Sequence, residues 1–241
     1  MTNSTTETLL SHRSIRAFKD KAIDESMLTT ILECGRAAST SSFIQCVSII
    51  RVTDPLKRQQ LAEYAGGQAY VANCAEFLVF CADFHRHTQI VPDAELGFTE
   101  QTLIGAVDGA LVAQNCLTAA ESFGLGGVYI GGIRNAPDLV SETLALPCHV
   151  IPLFGLCLGY PAENPGQKPR LPLSLMVHEN QYQPMNSEVL EQYDRDVASY
   201  YIERTKGAKQ HSWSEQMQNT LSKEARPFMK AFILSKGFST R

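Results

Sequence analysis

The sequence predicts an α+β fold, with a mixed β-sheet wrapped by helices and a helical C-terminal arm. Three observations support this class. The chain has 241 residues and a hydrophobic content of 44%, which is enough to bury one stable core. Helical and strand-like patterns alternate up to about residue 158. No internal repeat or long flexible linker divides the chain.

Two segments have clear helical patterns. From Asp24 to Ala38 the apolar residues recur at helical spacing, and Asp24 is a suitable N-cap. From Thr99 to Phe123 the chain lacks proline and is apolar around most of the helix circumference. Such a helix is buried in a large core or in a subunit interface. Since a monomer would expose part of it, the segment predicts a homodimer.

Four segments read as buried strands, because they are short, apolar and rich in β-branched or aromatic residues. A hydroxyl-rich loop, Ser39 to Phe43, precedes the first of them. The predicted strands are Cys46–Val52, Glu76–Ala82, Gly127–Ile133 and Val150–Leu158.

The composition changes after Tyr160. A proline-rich stretch from Pro161 to Pro172 predicts an extended loop. Polar amphipathic helices follow, over Ser187–Arg204 and over Ser212–Leu234 with an interruption at Pro227. We therefore expect a core over residues 1–186 and a helical arm over residues 187–241.

Composition also narrows the class of protein. A net charge of -4 and a pI near 5.9 argue against binding nucleic acid or an anionic membrane surface. We find no export signal and no uninterrupted run of 18 apolar residues, so no membrane span is expected. The seven cysteines are odd in number and form no C-x-x-C pair, which favours free thiols in the cytoplasm.

Two short basic clusters carry candidate anion-binding groups. His12-Arg13-Ser14-Ile15-Arg16 combines two arginines with an imidazole and a hydroxyl, and Lys168-Pro169-Arg170 holds two cations on a stiff segment. Each cluster alone is also typical of a solvated basic segment. Together, in an acidic protein, they raise the alternative of a shared phosphate site.

A glycine-rich segment runs from Gly124 to Gly132. It is not a dinucleotide fingerprint, because Tyr129 stands where the last glycine should fall and a strand follows instead of a helix. It also lacks the G-K-[ST] of a phosphate loop. The segment is either a simple turn or a stretch of bare backbone that a flat ring can approach.

Other chemistries have weaker signals. His85 and His87 lie near two aspartates, but no third ligand has a recognisable spacing, so we expect no metal site. Ser41 and Cys46 lack the base and signature that a nucleophile requires.

Taken in order, several motifs resemble those of the nitroreductase superfamily, and most closely its oxygen-insensitive NADPH nitroreductase and flavin reductase subfamily, group A. They are HRSIRAF at 12–18, GGQ at 66–68, VFCADF at 79–84, GGVYIGGIR at 126–134, GLCLGYPAENP at 155–165 and KPRLP at 168–172. The resemblance extends from His12 to Arg241.

This resemblance implies an intertwined homodimer that binds FMN between its subunits. The implied cofactor-binding residues are His12, Arg13, Ser14, Arg16, Ser39, Thr40, Ser41, Gln68, Tyr70, Tyr129, Ile130, Gly131, Gly132, Lys168 and Arg170. Arg16 and the Gly131 amide would support the flavin chemistry, and no side chain is expected to be catalytic itself. The implied residues for NADPH and substrate are Ser42, Phe43, Glu100, Arg204, Lys209 and Arg226.

The implied activity is two-electron, ping-pong transfer from NADPH to nitroaromatics, nitrofurans and quinones. A flavin reductase that supplies free reduced FMN is the alternative within this class. Two other classes stay open: a non-catalytic flavin- or anion-binding protein, and an interaction module that works through the polar arm. The interaction module predicts a colourless protein without bound cofactor.

Overall fold

The computed structural model describes residues 2–241. Its sheet has four strands, β1 (Val47–Arg51), β2 (Glu76–Asp83), β3 (Gly126–Ile130) and β4 (Val150–Gly159), in the spatial order β1-β2-β4-β3. The α+β class is confirmed. Every pairing between these strands is antiparallel, so the expectation of a mixed sheet is corrected for the part of the chain that the structure describes. Strands β2 and β3 run in the same direction, but they lie on opposite sides of β4 and do not pair with each other.

The described residues contain ten α-helices. They are α1 (Ser4–Leu10), α2 (Glu25–Arg36), α3 (Pro55–Tyr64), α4 (Tyr70–Asn73), α5 (His85–Ile90), α6 (Thr99–Ser122), α7 (Pro137–Thr143), α8 (Ser187–Thr205), α9 (Trp213–Leu221) and α10 (Met229–Ser235). Short 3-10 turns occupy Ser41–Phe43, Gly131–Asn135 and Leu173–Leu175.

The sheet is buried on both faces. Alternate residues of β2 point to opposite sides: Phe77 and Val79 pack with residues of α3, α4 and α7, whereas Leu78 and Phe80 pack with residues of α2 and α6. Every residue of β2 is buried. This explains why its sequence is continuously apolar and lacks the polar alternation of a half-exposed strand.

Pro152 lies inside β4 without ending the strand. The register shifts between Phe80 and Cys81 of β2, where the facing residues change from Phe154 to Pro152. A bulge of this kind accommodates a proline that has no N–H to donate. The predicted strand Val150–Leu158 is therefore confirmed.

The predicted strand Gly127–Ile133 is only partly correct. The strand ends at Ile130, and Gly131–Asn135 forms a 3-10 turn. The apolar pattern continues into this turn because Ile133 is itself buried in the core. An apolar pattern alone does not distinguish the end of a strand from a buried turn.

Helix α6 packs closely against its neighbours. At Gly105 a Cβ atom would lie 2.5 Å from the Cβ of Ala82 in β2, so glycine permits the helix to approach the sheet. By length and composition alone α6 could cross a membrane, since an 18-residue window has a mean hydropathy of 1.3. Polar residues such as Asp108 and Gln114 interrupt the segment, so it contains no run of 18 apolar residues. The buried helix of a soluble core has the same composition.

The chain divides into two compact units. The first contains the chain up to Asn164 together with Arg226–Arg241, and the second is Pro165–Ala225. The sequence placed its boundary at 186/187 instead. In the first unit, Phe232 and Phe238 are buried with Cys46, Ala82 and Phe84, so the end of the chain contributes to the core. In the second unit, Tyr193 of α8 packs against Trp213 of α9.

All seven cysteines are free thiols, as expected. Burial raises the pKa of Cys81 and of Cys116 to about 12. These two thiols therefore stay protonated across the ordinary pH range and serve as core residues.

Candidate cofactor and substrate site

The first basic cluster lies in irregular chain between α1 and α2, and the sheet anchors it. Ile15 is buried, and its N–H donates to the carbonyl of Gly127 in β3 over 3.0 Å. The imidazole Nδ1 of His12 lies 2.6 Å from Oε1 of Glu121, the carboxylate near the end of α6. Arg16 is exposed. The Glu121 contact fixes the orientation of the His12 ring.

Glu163, which follows β4 in the chain, fixes the backbone of the same basic cluster. Its Oε1 accepts hydrogen bonds from the backbone N–H of Arg16 over 2.6 Å and of Ala17 over 3.0 Å. The side chains of Arg13, Glu121 and Glu163 line a cavity of about 330 Å³. Sequence reasoning missed Glu163, although it lies in the quoted PAENP motif.

Gly132, in the turn after β3, lies beside Gln68, and Tyr70 is hydrogen-bonded to Gln68. A Cβ atom at Gly132 would come within 2.5 Å of the Ala65 carbonyl oxygen and 2.7 Å of Gln68 Nε2, so only glycine fits there. Gln68 donates to the same carbonyl over 2.8 Å, and the Tyr70 hydroxyl donates to Gln68 Oε1 over 2.7 Å. The structure therefore brings Gly132 together with Gln68 and Tyr70, two predicted cofactor-binding residues that are more than 60 positions away in sequence.

Arg226 also reaches this turn. Its Nε donates to Asn135 Oδ1 over 2.9 Å, and its Nη2 donates to the Gly131 carbonyl over 3.4 Å. Arg134 lies nearby with its guanidinium on the Leu153 carbonyl; burial, and secondarily the charge of Arg226, lower the pKa of Arg134. Arg226 therefore lies beside the 3-10 turn Gly131–Asn135, which we call the glycine turn, and both belong to the first unit.

Tyr129 is the one exposed residue of β3. Its ring packs edge-on against Phe154, with centroids 5.5 Å apart, and its hydroxyl donates to Gln114 Oε1 over 3.3 Å. Partial burial, and to a smaller extent the negative charge of Glu121, raise the Tyr129 pKa. The hydroxyl is therefore a hydrogen-bond donor at any physiological pH.

The hydroxyl-rich loop is attached to a buried carboxylate that sequence reasoning did not identify. Thr40 Oγ1 donates to Asp108 Oδ2 over 2.5 Å, and the Ser41 N–H donates to both carboxylate oxygens over 3.1 and 3.2 Å. Asp108 belongs to α6 and is 1% exposed. The sequence feature that could have indicated this contact is a single acidic residue in the middle of an apolar helix.

Phe43 lies at the tip of this loop with its side chain 79% exposed. Ser42, Phe43 and Gln45 all have positive φ angles, of 47°, 57° and 55°. Such angles are strained for residues other than glycine, and strained backbone is concentrated at binding and catalytic sites.

The remaining predicted residues lie elsewhere. Glu100 is exposed in the first turn of α6. In the second unit, Lys168 donates to the Tyr201 hydroxyl over 2.8 Å, Arg170 to the Lys168 carbonyl over 3.0 Å, and Arg204 to the Tyr200 hydroxyl over 2.7 Å. The backbone N–H of Lys209 donates to Thr205 Oγ1.

The histidines of the H-x-H pair have local partners. His87 Nε2 lies 2.8 Å from the Ile44 carbonyl, and His85 Nε2 lies 3.4 Å from Gln89 Nε2. These contacts stabilise the α5 segment.

The glycine turn fits a planar cofactor with polar edges. Gly132 lacks a side chain that would meet Ala65 and Gln68, and the Tyr70 phenol is hydrogen-bonded to Gln68 beside it. An isoalloxazine ring needs an open backbone donor and hydrogen-bonding groups at its edge. The residues present therefore suit a flavin.

Comparisons with known proteins agree with this chemistry. Residues 9–160 match the Nitroreductase family, and residues 168–241 match the Nitroreductase family, C-terminal domain. The chain is 54% identical over 237 residues to the oxygen-insensitive NADPH nitroreductase of Salmonella typhimurium, covering 98% of this chain and 99% of that protein. It is 52% identical to the NADPH-flavin oxidoreductase of Vibrio harveyi, covering 99% and 100%.

Solved structures show the same relationship. Nitroreductase A from Vibrio parahaemolyticus superposes with a TM-score of 0.96 at 52% identity and covers 100% of both chains. The NADPH:FMN oxidoreductase of Vibrio harveyi, complexed with NAD+, superposes with a TM-score of 0.94 at 51% identity and covers 99% of this chain and 100% of its own. The fold and the site thus define a reductase of nitro compounds and flavins as the class of protein. The chain belongs to the nitroreductase family.

Proposed function

We propose that this protein is a cytoplasmic, homodimeric FMN enzyme that oxidises NADPH and reduces nitroaromatics, nitrofurans and quinones. The observation that carries the proposal is the packing of Gly132 against Gln68, to which Tyr70 is hydrogen-bonded, in the turn after β3, in a chain that belongs to the nitroreductase family. When bound, FMN supplies the two-electron chemistry that couples NADPH to an acceptor.

The chain's own residues bind and orient the cofactor in this proposal. Arg13 and Ser14 contribute to phosphate binding, and Lys168 and Arg170 are proposed for the same role. His12 joins them with its ring oriented by Glu121. Arg16 stabilises negative charge at the pyrimidine end of the ring, and Glu163 fixes the backbone that carries Arg16.

The proposed dimer is supported by one face of α6. Leu103, Val107 and Leu111 recur every four residues and are 57%, 56% and 44% exposed. Residues at this spacing form a continuous apolar stripe on a helix. A second copy of the chain is the proposed cover for this stripe, and the Ser39–Phe43 loop would then contribute to the partner's site.

NADPH recognition is proposed for the arm. Arg204 and Lys209 are the candidate cations for the additional phosphate of NADPH. The stacking of the Arg204 guanidinium over the Tyr200 ring, 5.9 Å from its centroid, orients a cation at this end of α8. The relatives from Salmonella typhimurium and Vibrio harveyi both carry NADPH in their names, which supports the choice of donor.

A flavin reductase that delivers reduced FMN is the second candidate. It is favoured by the Vibrio harveyi relative, an NADPH-flavin oxidoreductase at 52% identity, and by FMN reductase (NADPH) of Bacillus subtilis at 43% identity. The two candidates share one site and differ in the acceptor that the pocket accommodates.

Steady-state NADPH oxidation distinguishes the candidates. Nitrofurazone, p-benzoquinone and free FMN are supplied in turn to the purified protein, in air and under argon. We expect kcat/KM for nitrofurazone to exceed that for free FMN, with equal rates in both atmospheres because electrons are transferred in pairs. A larger kcat/KM for free FMN would instead establish the flavin reductase. Absence of NADPH oxidation with all three acceptors would exclude both.

A further inference from the structure

Asp108 is a buried carboxylate without a cationic partner. It is 1% exposed, and in residues 2–241 no ion pair includes it. A buried charge is costly unless hydrogen bonds replace its hydration. The loop before β1 provides those bonds through the Thr40 hydroxyl and the Ser41 N–H.

The adjacent Cys46 thiol completes this shell. Its Sγ lies 3.8 Å from Asp108 Oδ2 as a donor. Burial, followed by the negative charge of Asp108, raises the pKa of Cys46 to about 12. Because the thiol stays protonated, all three groups around Asp108 are donors. The carboxylate is therefore the acceptor on which this end of the loop converges.

The same contacts hold the strained part of the loop. Thr40 Oγ1 donates to Asp108 and accepts from the Gln45 N–H over 2.9 Å. Between these two anchors lie Ser42 and Phe43, both with positive φ. Such a conformation is strained and persists only where its surroundings enforce it. Asp108 is the buried group that enforces this conformation.

The conformation has a visible effect on Phe43. The ring is 79% exposed, although phenylalanine is ordinarily buried. A loop without the Asp108 anchor would relax to negative φ and turn the ring elsewhere. The loop that carries Phe43 is thus anchored to Asp108 of α6 through Thr40 and Ser41.

We propose that Asp108 is a positioning residue that sets acceptor selectivity through Phe43. This inference rests on the proposed function, in which Phe43 lines the acceptor pocket. Asp108 does not touch acceptor or cofactor in this account. It holds Thr40 and Ser41, and they fix the orientation of Phe43.

The test is a double-mutant cycle between Asp108→Asn and Phe43→Ala. Asparagine keeps the size of the side chain but cannot accept from every donor around it. The readout is the ratio of kcat/KM for nitrofurazone to kcat/KM for the smaller p-benzoquinone. We expect Asp108→Asn to change this ratio by about ten-fold in the parent, and by less than about two-fold when Phe43 is alanine.

An equal change in both backgrounds would overturn the inference, because Asp108 would then not act through Phe43. So would an unchanged ratio in a folded Asp108→Asn variant. Asp93→Asn, which removes an exposed carboxylate, is the matched control. If Asp108→Asn does not fold, Thr40→Val replaces it in the same double-mutant cycle. We expect Thr40→Val to change the kcat/KM ratio in the parent and not when Phe43 is alanine. An equal change in both backgrounds would overturn the inference. Loss of NADPH-dependent turnover in the parent protein would refute the proposed function instead.

Discussion

Oε1 of Glu163 lies 2.6 Å from the backbone nitrogen of Arg16. The same oxygen accepts from the Ala17 N–H, and Lys19 N–H donates to the Tyr160 carbonyl over 2.8 Å. The segment that carries Arg16 is therefore fastened to the end of β4 by side-chain and backbone bonds. Glu163 therefore helps to hold Arg16, a proposed flavin-binding cation, in place.

Replacing Glu163 is expected to weaken FMN binding. Glu163→Ala leaves two backbone donors without their acceptor, which costs about 1–3 kcal/mol. We expect the Kd for FMN, measured by fluorescence titration of the apoprotein, to rise about ten-fold. Glu163→Gln is the matched control, because its amide oxygen still accepts, and it should bind FMN several-fold more tightly than the alanine variant. Identical Kd values for the two variants would contradict this role.

Gly132→Ala tests the packing of the glycine turn. The new methyl group would meet the Ala65 carbonyl and the Gln68 side chain, so the turn or Gln68 must move. We expect a loss of about 1–3 kcal/mol in the free energy of unfolding, together with weaker FMN binding. Gly166→Ala is the control, since its Cβ would meet only Tyr200 at 3.8 Å. Thermal unfolding and FMN titration of both variants provide the comparison, and an unaffected Gly132→Ala protein would refute the packing argument.

The apolar stripe on α6 predicts the effect of a charge at its centre. Val107→Glu would bury a carboxylate in the proposed subunit interface, which is strongly unfavourable. We expect a monomer by light scattering at micromolar concentration, with loss of bound flavin. Leu56→Glu introduces the same charge at a site on α3 that is 77% exposed and should leave the dimer intact. Persistence of a dimer in Val107→Glu would exclude this face as the interface.

Arg204→Ala tests the choice of nicotinamide donor. Removing a cation that binds the additional phosphate should raise KM for NADPH about ten-fold or more and leave KM for NADH nearly unchanged. Arg195→Ala removes another exposed arginine of α8, whose guanidinium contacts Gln192, and should alter neither constant. Equal changes in both KM values would remove Arg204 from this role.

Local sequence patterns predicted most of the fold. The helix over Glu25–Arg36 follows from its spacing and from Asp24, whose carboxylate accepts from the Ser26 and Met27 N–H groups as an N-cap. The four strands were located because the segments are short, apolar and rich in β-branched or aromatic residues. The strand after Gly126 was predicted too long, since Ile133 continues the apolar pattern into a buried turn.

The candidate site was only partly predictable. Its glycines and cations were visible as motifs, but the carboxylates that organise them were not. Asp108 is 68 residues from Thr40 in sequence, and Glu163 is 147 residues from Arg16. A single acidic residue has no periodicity or spacing that reports its distant partner. Such contacts become apparent only when the fold brings the segments together.

The central claim is that this protein uses a bound flavin to transfer electrons from NADPH to an acceptor. An anaerobic absorbance scan of the purified protein, before and after stoichiometric NADPH and again after nitrofurazone, tests it most directly. We predict flavin bands that bleach with NADPH and return with nitrofurazone. A colourless protein that takes up no added FMN, or flavin bands that NADPH leaves unchanged, would contradict the account.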